Sequence, residues 1–139
     1  MIPTTLTLEI VTPDQLLVRD EVDEVQVPAA EGYMGILPGH TPLLAMLKVG
    51  ELWYRKGSEK FYFSIAFGFV EVLPARVTVL AQVAERPEGI DRERAERARR
   101  RAEERLTKPT TEIDFERARI ALMKSMIRLQ VAARARTRV

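Results

Sequence analysis

The pattern of the chain changes abruptly within the segment Glu85–Gly89. On its N-terminal side, short runs alternate apolar and polar residues with a period of two, as half-buried strands do. On its C-terminal side, Ala, Glu and Arg dominate, and these residue types favour helix. Pro87 and Gly89 stand two positions apart among charged residues, a composition typical of a hinge. The sequence therefore predicts two modules, residues 1–84 and residues 90–139, joined by a hinge at residues 85–89.

The two sides of this boundary also carry opposite charge. Residues 1–84 contain 6 Lys or Arg and 10 Asp or Glu, whereas residues 85–139 contain 16 and 10. The formal net charge of +2 for the whole chain conceals this difference. Such an opposition indicates that the two modules meet different surroundings.

The N-terminal module has the pattern of many short strands. Leu6, Leu8 and Ile10 alternate with polar neighbours, and the runs that begin at Val25 and Phe61 repeat the alternation. Turn residues separate these runs. The spacing predicts an antiparallel β-sandwich or flattened barrel of about ten short strands.

The segment Glu31–Gly50 is the part of this module with the most turn residues, and it contains the sole histidine, His40. Gly32, Gly35 and Gly39 permit sharp turns of the backbone. The apolar residues between the turns are expected to be anchored in a core: Ile36, Leu37, Leu43, Leu44, Met46 and Leu47.

The C-terminal module is predicted to be a hairpin of two α-helices. The first helix is expected over Ile90–Leu106, with Asp91 as its N-cap. The second opens at Thr111, where Asp114 three residues later resembles a capping box, and it runs to about Arg136.

The apolar faces of these helices are unequal. The first helix carries one narrow stripe of mostly small residues: Ala95, Ala98, Ala102 and Leu106. The second carries two neighbouring stripes: Ala118, Leu122, Ser125, Leu129 and Ala132, and beside them Ile120, Met123, Ile127 and Val131. A thin alanine seam cannot cover both stripes, so the surplus apolar surface must meet either the β module or a partner protein.

No catalytic constellation is visible. The chain has no cysteine, which excludes disulfides and thiol catalysis, and a lone His40 argues against a histidine-based zinc site. Phosphate-binding and dinucleotide-binding glycine motifs are missing, and no nucleophile has a candidate base. We therefore expect no catalytic residue, no metal and no obligatory cofactor. A membrane-spanning run and a secretory signal are also missing, so a cytosolic protein is expected.

The arginine-rich hairpin leaves nucleic-acid binding open as an alternative, for example in a ribosome-associated adaptor. The arginines go all round the first helix, however, and alternate with glutamates in pairs such as Glu93–Arg97, which stabilise an exposed helix. Phe115 is the only aromatic residue of the hairpin that could stack on a base. The composition favours a basic helix that meets an acidic protein surface. A non-catalytic, ligand-binding sandwich is a third interpretation.

Three segments, taken in order, resemble one known family. The matching residues of the first are Glu31, Gly32, Gly35, Ile36, Pro38, Gly39, His40, Pro42, Leu43 and Leu44. The second, Ile90–Ala95, reads IDRERA and fits the pattern I/L-D-x-x-R-A, and the third is Ile113–Val131. Together they resemble the epsilon subunit of the F-type, bacterial-type ATP synthase over nearly the whole chain.

This resemblance implies a non-catalytic subunit of the central stalk of the proton-translocating ATP synthase. The sandwich would dock on the gamma subunit and on the ring of c subunits, with Glu31 and His40 near the polar loops of the ring. The chain would thereby couple ring rotation to the catalytic hexamer, as a peripheral protein on the cytoplasmic face of the inner membrane. The hairpin would permit ATP hydrolysis when folded, and would block it when extended against the catalytic beta and alpha subunits. No nucleic-acid partner is implied.

The resemblance also implies ATP as a possible regulatory ligand of the folded hairpin. In relatives that bind ATP, the Asp and Arg of the motif meet the nucleotide, although Asp91 here also suits a helix cap and Arg94 a solvated charge. By this alignment the candidate ATP-binding residues are Glu85, Ile90, Asp91, Arg94, Ala95, Arg101, Lys124 and Arg128. Charge and position, without a motif, select the candidate inhibitory contacts: Arg117, Arg119, Lys124, Arg128, Arg134 and Arg136.

Overall fold

The computed structural model describes residues 2–108 and 111–135. The chain divides between Glu85 and Arg86 into two compact units. All the described strands belong to the first unit and both described α-helices to the second. The predicted fold class, a β-sandwich module followed by a helical hairpin, is therefore confirmed.

The first unit is one sheet of seven described strands. They are β1 (Leu6–Val11), β2 (Leu16–Val22), β3 (Glu24–Ala29), β4 (Gly32–Ile36), β5 (Leu43–Lys56), β6 (Glu59–Leu73) and β7 (Arg76–Glu85). Their order in the sheet is β2-β1-β7-β6-β5-β3-β4. All neighbours are antiparallel except β1 and β7, which run parallel and come from opposite ends of the module. The predicted number of strands was too high, since β5 and β6 span 14 and 15 residues and continue through Gly50 and Gly68.

The sheet folds over so that its edge strand β2 returns to β5. The Lys56 ammonium donates to the Asp20 carboxylate at 2.7 Å, and the Asp23 amide donates to the carbonyl of Arg55 at 2.8 Å. The enclosed core consists almost entirely of aliphatic and aromatic side chains. Its largest fully buried members are Phe63, Leu6, Leu8, Ile10, Ile36, Leu52, Ile65, Val22, Val25, Val27, Val70 and Val72.

The long strands change the face that they present to this core. On β5 the core residue Leu47 has an odd number, whereas the core residue Leu52 has an even number. The same change from odd to even occurs on β6, between Ile65 and Val70. A regular strand keeps alternate residues on one face throughout. Each strand must therefore shift its phase by one residue, which allows it to serve both layers of the folded sheet.

On β6 this shift occurs at Phe67 and Gly68, whose φ angles are +64° and +133°. A side chain at Gly68 is excluded, because a Cβ atom there would lie 2.0 Å from the carbonyl oxygen of Leu80 on β7. A bulky residue such as Phe67 rarely adopts positive φ, at a cost of roughly 1–3 kcal/mol. Pairing with β5 and β7 on both sides holds β6 in this conformation.

The second unit begins with a 3-10 turn at Pro87–Gly89 and continues as α1 (Arg92–Thr107) and α2 (Glu112–Ala132). Helix α2 ends earlier than predicted, because the amide of Arg134 bonds the carbonyl of Val131 at 2.8 Å and tightens the chain into a turn. The predicted end, Arg136, lies outside the described residues.

Both predicted N-caps are confirmed. The Asp91 carboxylate accepts from the amide of Arg94 at 3.1 Å. The Thr111 hydroxyl accepts from the amide of Asp114, also at 3.1 Å. Each cap satisfies one of the amides that a helix start leaves without an internal acceptor.

Helices α1 and α2 pack on each other through small side chains. The buried residues of this seam recur every seven positions: Ala95 and Ala102 on α1, and Ala118, Ser125 and Ala132 on α2. The Ser125 hydroxyl donates to the carbonyl of Leu122 at 2.9 Å, so that its burial leaves no donor unpaired. The predicted alanine seam is thus the contact that joins the two helices.

Candidate functional site

Several exposed apolar residues of the sandwich form a continuous outer face. Met46 on β5, Phe69 on β6 and Leu80 on β7 are directly opposite one another in the strand register, and Leu44 lies two residues from Met46 on the same side. Their exposed fractions are 60%, 48%, 51% and 68% respectively. With Tyr33 they constitute what we term the apolar outer face. A contiguous patch of this kind is typical of a docking surface.

Part of this face was wrongly predicted to be core. Ile36 and Leu47 are buried as expected, but four of the six apolar residues in the turn-rich segment are exposed: Leu37, Leu43, Leu44 and Met46. The alternation of β5 explains the exposure of Leu44 and Met46, because the core-facing positions beside them are occupied by Ala45 and Leu47. Leu43 is the first residue of β5, and Leu37 precedes that strand. Phe69 and Leu80 were not identified from the sequence either. Each is adjacent in sequence to a buried valine and therefore lies on the opposite, outer face of its strand.

Two open hollows adjoin the apolar outer face. One, of about 560 Å³, is lined by residues 29–34 and 43–46, and it brings Glu31 next to Tyr33, Leu44 and Met46. The other, of about 310 Å³, lies between the β1 end at Val11–Pro13 and the Phe69–Leu80 pair. The face therefore has concave regions on both sides of its central row, into which partner side chains can fit.

Glu31 and His40 occupy two turns of the sandwich. Glu31 is exposed in the tight β3–β4 turn, and Gly32 beside it has φ +133°. His40 is half-buried, with its Nδ1 atom 2.7 Å from the carbonyl of Thr41. The amide of Gly39 donates to the carbonyl of Pro74 at 2.7 Å, which ties this loop to the β6–β7 turn. Gly35, in contrast, lies within β4 without positive φ.

The acidic residues between β2 and β3 are structural in character. The Arg55 guanidinium lies 3.2 Å from Glu24 and 3.7 Å from Asp23. The hydroxyls of Thr7 and Thr5 donate to Glu21 and lower the pKa of that carboxyl below its usual value. These groups therefore close the edge of the sheet and do not form an acid–base pair.

The candidate ATP-binding residues lie in different environments. Ile90 and Ala95 are buried, and Asp91 is engaged as the cap of α1. Arg94 and Arg101 are exposed and seven residues apart on α1, which places them on one side of that helix.

Lys124 and Arg128, four residues apart, likewise share one side of α2. Glu85 belongs to the first unit, at the end of β7, where it lies opposite Ser64, which in turn lies opposite the buried Glu51 on β5. Glu51 was not anticipated, because its strand position gave no indication that a carboxylate would be buried.

The candidate inhibitory residues also differ in their surroundings. Arg117 is exposed on α2, whereas Arg119 pairs with Glu116 at 2.8 Å and lowers the pKa of that carboxyl. Arg134 follows the helix in the terminal turn. Arg136 lies outside the described residues.

The ion pairs of α1 stabilise the helix itself. Glu96 contacts both Arg99 and Arg100, and Arg99 also reaches Glu103 at 3.2 Å. Pairing at i,i+4 was expected, although with Glu93 and Arg97 as the example. Within residues 2–108 and 111–135, no group of three acidic, histidine or cysteine side chains could hold a metal ion, and no helix is long and apolar enough to cross a membrane.

Comparison with known proteins gives a consistent result for both units. The family model for the ATP synthase Delta/Epsilon chain, beta-sandwich domain, matches residues 5–87, and the model for the long alpha-helix domain matches residues 88–133. The ATP synthase epsilon chain of Solibacter usitatus is 48% identical over 94% of this chain and 97% of its own length. That of Herpetosiphon aurantiacus is 47% identical over 96% and 98%.

A solved structure supports the same relationship. A chain of the Euglena gracilis mitochondrial ATP synthase, from a structure of OSCP, F1 and c-ring in rotational state 1, matches with a TM-score of 0.83 at 27% identity, over 96% of this chain and 84% of that chain. The matches span both units, and the relatives are epsilon chains, not catalytic subunits. The chain therefore belongs to the ATP synthase delta/epsilon family, as an epsilon-type, non-catalytic member.

Proposed function

We propose that this protein is a rotor subunit of the central stalk of a proton-translocating F-type ATP synthase. The apolar outer face carries this proposal, because a family member with a contiguous exposed row at Met46, Phe69 and Leu80 has a surface suited to permanent association. Its principal partner is the gamma subunit. The role is mechanical, since a subunit that transmits rotation through a fixed interface needs no nucleophile.

The second proposed contact is with the ring of c subunits, through Glu31 and His40. Glu31 is exposed in a tight turn and lines the same hollow as Tyr33 and Leu44. The loop of His40 is held to the β6–β7 turn by the Gly39–Pro74 hydrogen bond, which gives it a defined position. Through these contacts the chain would lie peripherally on the cytoplasmic face of the inner membrane.

The helical hairpin is the proposed regulatory element. Its seam buries small side chains such as Ala95, Ala102 and Ser125. Each methyl or methylene group removed from water contributes only about 0.8 kcal/mol, so helices joined in this way can separate at modest cost. We propose that the folded hairpin permits ATP hydrolysis, and that the extended hairpin presents Arg117, Arg119 and their neighbours to the catalytic beta and alpha subunits.

Removal of the hairpin tests this regulatory role. A chain that ends at Glu88 should raise ATP hydrolysis by the assembled complex at least about twofold. A twofold increase is expected if the extended hairpin blocks half of the complexes, because its removal makes all of them active. A chain that ends at Lys108 and keeps α1 should show the same release, because α2 carries the proposed contacts. Hydrolysis would be measured on complexes whose subunit content is verified. Equal rates for all three chains would contradict the inhibitory role but leave the stalk role standing.

We also propose that ATP binds the hairpin as a regulatory ligand. The arginines at Arg94 and Arg101 share one side of α1, and Lys124 and Arg128 share one side of α2, so each helix offers two cations to phosphate oxygens. Bound ATP would favour the folded hairpin only insofar as it binds that state more tightly.

Calorimetry of the isolated chain tests ATP binding. Arg94→Ala should weaken binding at least about tenfold, because it removes a charge-assisted contact to phosphate. Arg100→Ala, which removes an exposed arginine from another side of the same helix, is the matched control and should leave the affinity unchanged. If ATP gives no heat, or if the two variants behave alike, the proposed nucleotide site is wrong.

A further inference from the structure

One hydrogen bond joins the two ends of the helical hairpin. The guanidinium Nη2 of Arg92 donates to the carbonyl oxygen of Ala132 at 2.6 Å, across 40 residues of sequence. Arg92 is the first residue of α1 and Ala132 is the last residue of α2. The bond is partly buried and lies where the antiparallel helices have no connecting loop. It therefore closes the open end of the hairpin.

The charge of Arg92 complements α2 and not its own helix. The C-terminal end of a helix carries partial negative charge on its unpaired carbonyls. The last turn of α2 contains no basic residue, so Arg92 supplies a cation to it from the other helix. At the start of α1 the same cation lies at the positive end of the helix dipole, where it is unfavourable. The dipole of α1 thus does not favour an arginine here.

The small residues of the seam make this contact important. Ala95 and Ala132 bury a methyl group each at the open end, where Ile90 and Val131 are also buried. A charge-assisted hydrogen bond to a buried carbonyl is stronger than a neutral one. The Arg92 bond therefore adds a directional polar contact to the apolar contacts that hold the two helix ends together.

We propose that Arg92 is a latch that keeps the hairpin closed, and that separation of α2 from α1 requires its release. The motif residues Asp91 and Arg94 are distinct from it, since Arg92 occupies a variable position of the I/L-D-x-x-R-A pattern. The regulatory meaning of the latch rests on the proposed function. The closed state that it stabilises is a property of the isolated chain.

The open and closed hairpins can be counted with a pair of spin labels. The chain contains no cysteine, so Glu93→Cys and Gln130→Cys provide two unique, exposed sites at the open end. Helices of 16 and 21 residues are about 24 and 32 Å long, so opening moves the labels apart by tens of ångströms. Pulsed dipolar spectroscopy of the full chain then gives the two populations.

Arg92→Ala should raise the ratio of open to closed hairpin about tenfold. Arg92→Lys, which keeps the charge but loses the fork of donors, should have an intermediate effect. Arg97→Ala is the control for the loss of an arginine from α1. Circular dichroism of each variant separates opening from loss of helix, and the ratio is read on Arg92→Gln if the alanine variant loses helicity.

The sign of the effect decides the proposal. If the bond does not stabilise the closed hairpin, Arg92→Ala only removes an unfavourable cation from the start of α1. The open fraction would then stay equal or fall, which would contradict the proposed latch. A raised open fraction supports it. Hydrolysis by the reconstituted complex is then measured separately. If Arg92→Ala opens the hairpin but does not strengthen inhibition, the latch stands and the proposed inhibitory function fails.

Discussion

Replacing Gly68 by alanine is expected to destabilise the sandwich by about 3–5 kcal/mol, through two effects that add. The first is conformational, because φ +133° is a region that residues with a Cβ atom hardly enter. The second is steric, because the new Cβ would lie 2.0 Å from the carbonyl oxygen of Leu80 and 2.8 Å from the Cα of Ala81. The obstacle is backbone of β7, which cannot move without breaking its pairing. Urea unfolding, followed through the single tryptophan of the chain, measures the loss.

Gly32 offers a matched control for the conformational effect. It has the same φ of +133°, but a Cβ placed there meets no atom within 4 Å. Gly32→Ala should therefore cost only about 1–3 kcal/mol. Gly35→Ala has neither obstacle and should be close to neutral. Equal losses for Gly32→Ala and Gly68→Ala would show that close contact with β7 has no energetic role.

The second large effect is expected on assembly. Phe69→Glu places a carboxylate at the centre of the apolar outer face, where docking would bury it without a partner. The affinity for the gamma subunit, which rests on the proposed function, should fall by about 10²–10³-fold. Phe69 is half-exposed in the free chain, so the sandwich should remain folded. Surface plasmon resonance with immobilised gamma subunit gives the dissociation constants.

Two substitutions make this test specific. Phe69→Leu keeps an apolar side chain and should bind nearly as well as the natural chain. Ser58→Glu introduces the same charge in the exposed β5–β6 turn, away from the apolar outer face, and should have no effect. Unchanged binding by Phe69→Glu would place the docking surface elsewhere on the molecule.

Much of the candidate site was visible in the sequence, but not as a surface. Glu31 and His40 were identified in turns, and the structure places both there. The apolar residues of the segment Glu31–Gly50 were assigned to the core, because an apolar residue near a turn gives no information about which face of the sheet it occupies. Leu44 and Met46 differ from the buried Leu47 in phase and not in chemical character.

What the sequence by itself determined is everything that depends on neighbours a few residues apart. Local periodicity and local hydrogen bonding account for three of these features: the change of pattern at Glu85–Gly89, the helix caps at Asp91 and Thr111, and the small residues of the helical seam.

The tertiary structure alone decided the features that join distant parts of the chain. Three such features are the parallel pairing of β1 with β7, the phase shift at Phe67 and Gly68, and the hydrogen bond from Arg92 to Ala132. The alternation of residues along a strand defines two faces but does not determine which face is buried. The periodicity of a helix likewise defines an apolar stripe but does not determine which segment packs against it. Only packing between distant segments selects the face and the partner, and so places Met46, Phe69 and Leu80 side by side at the surface.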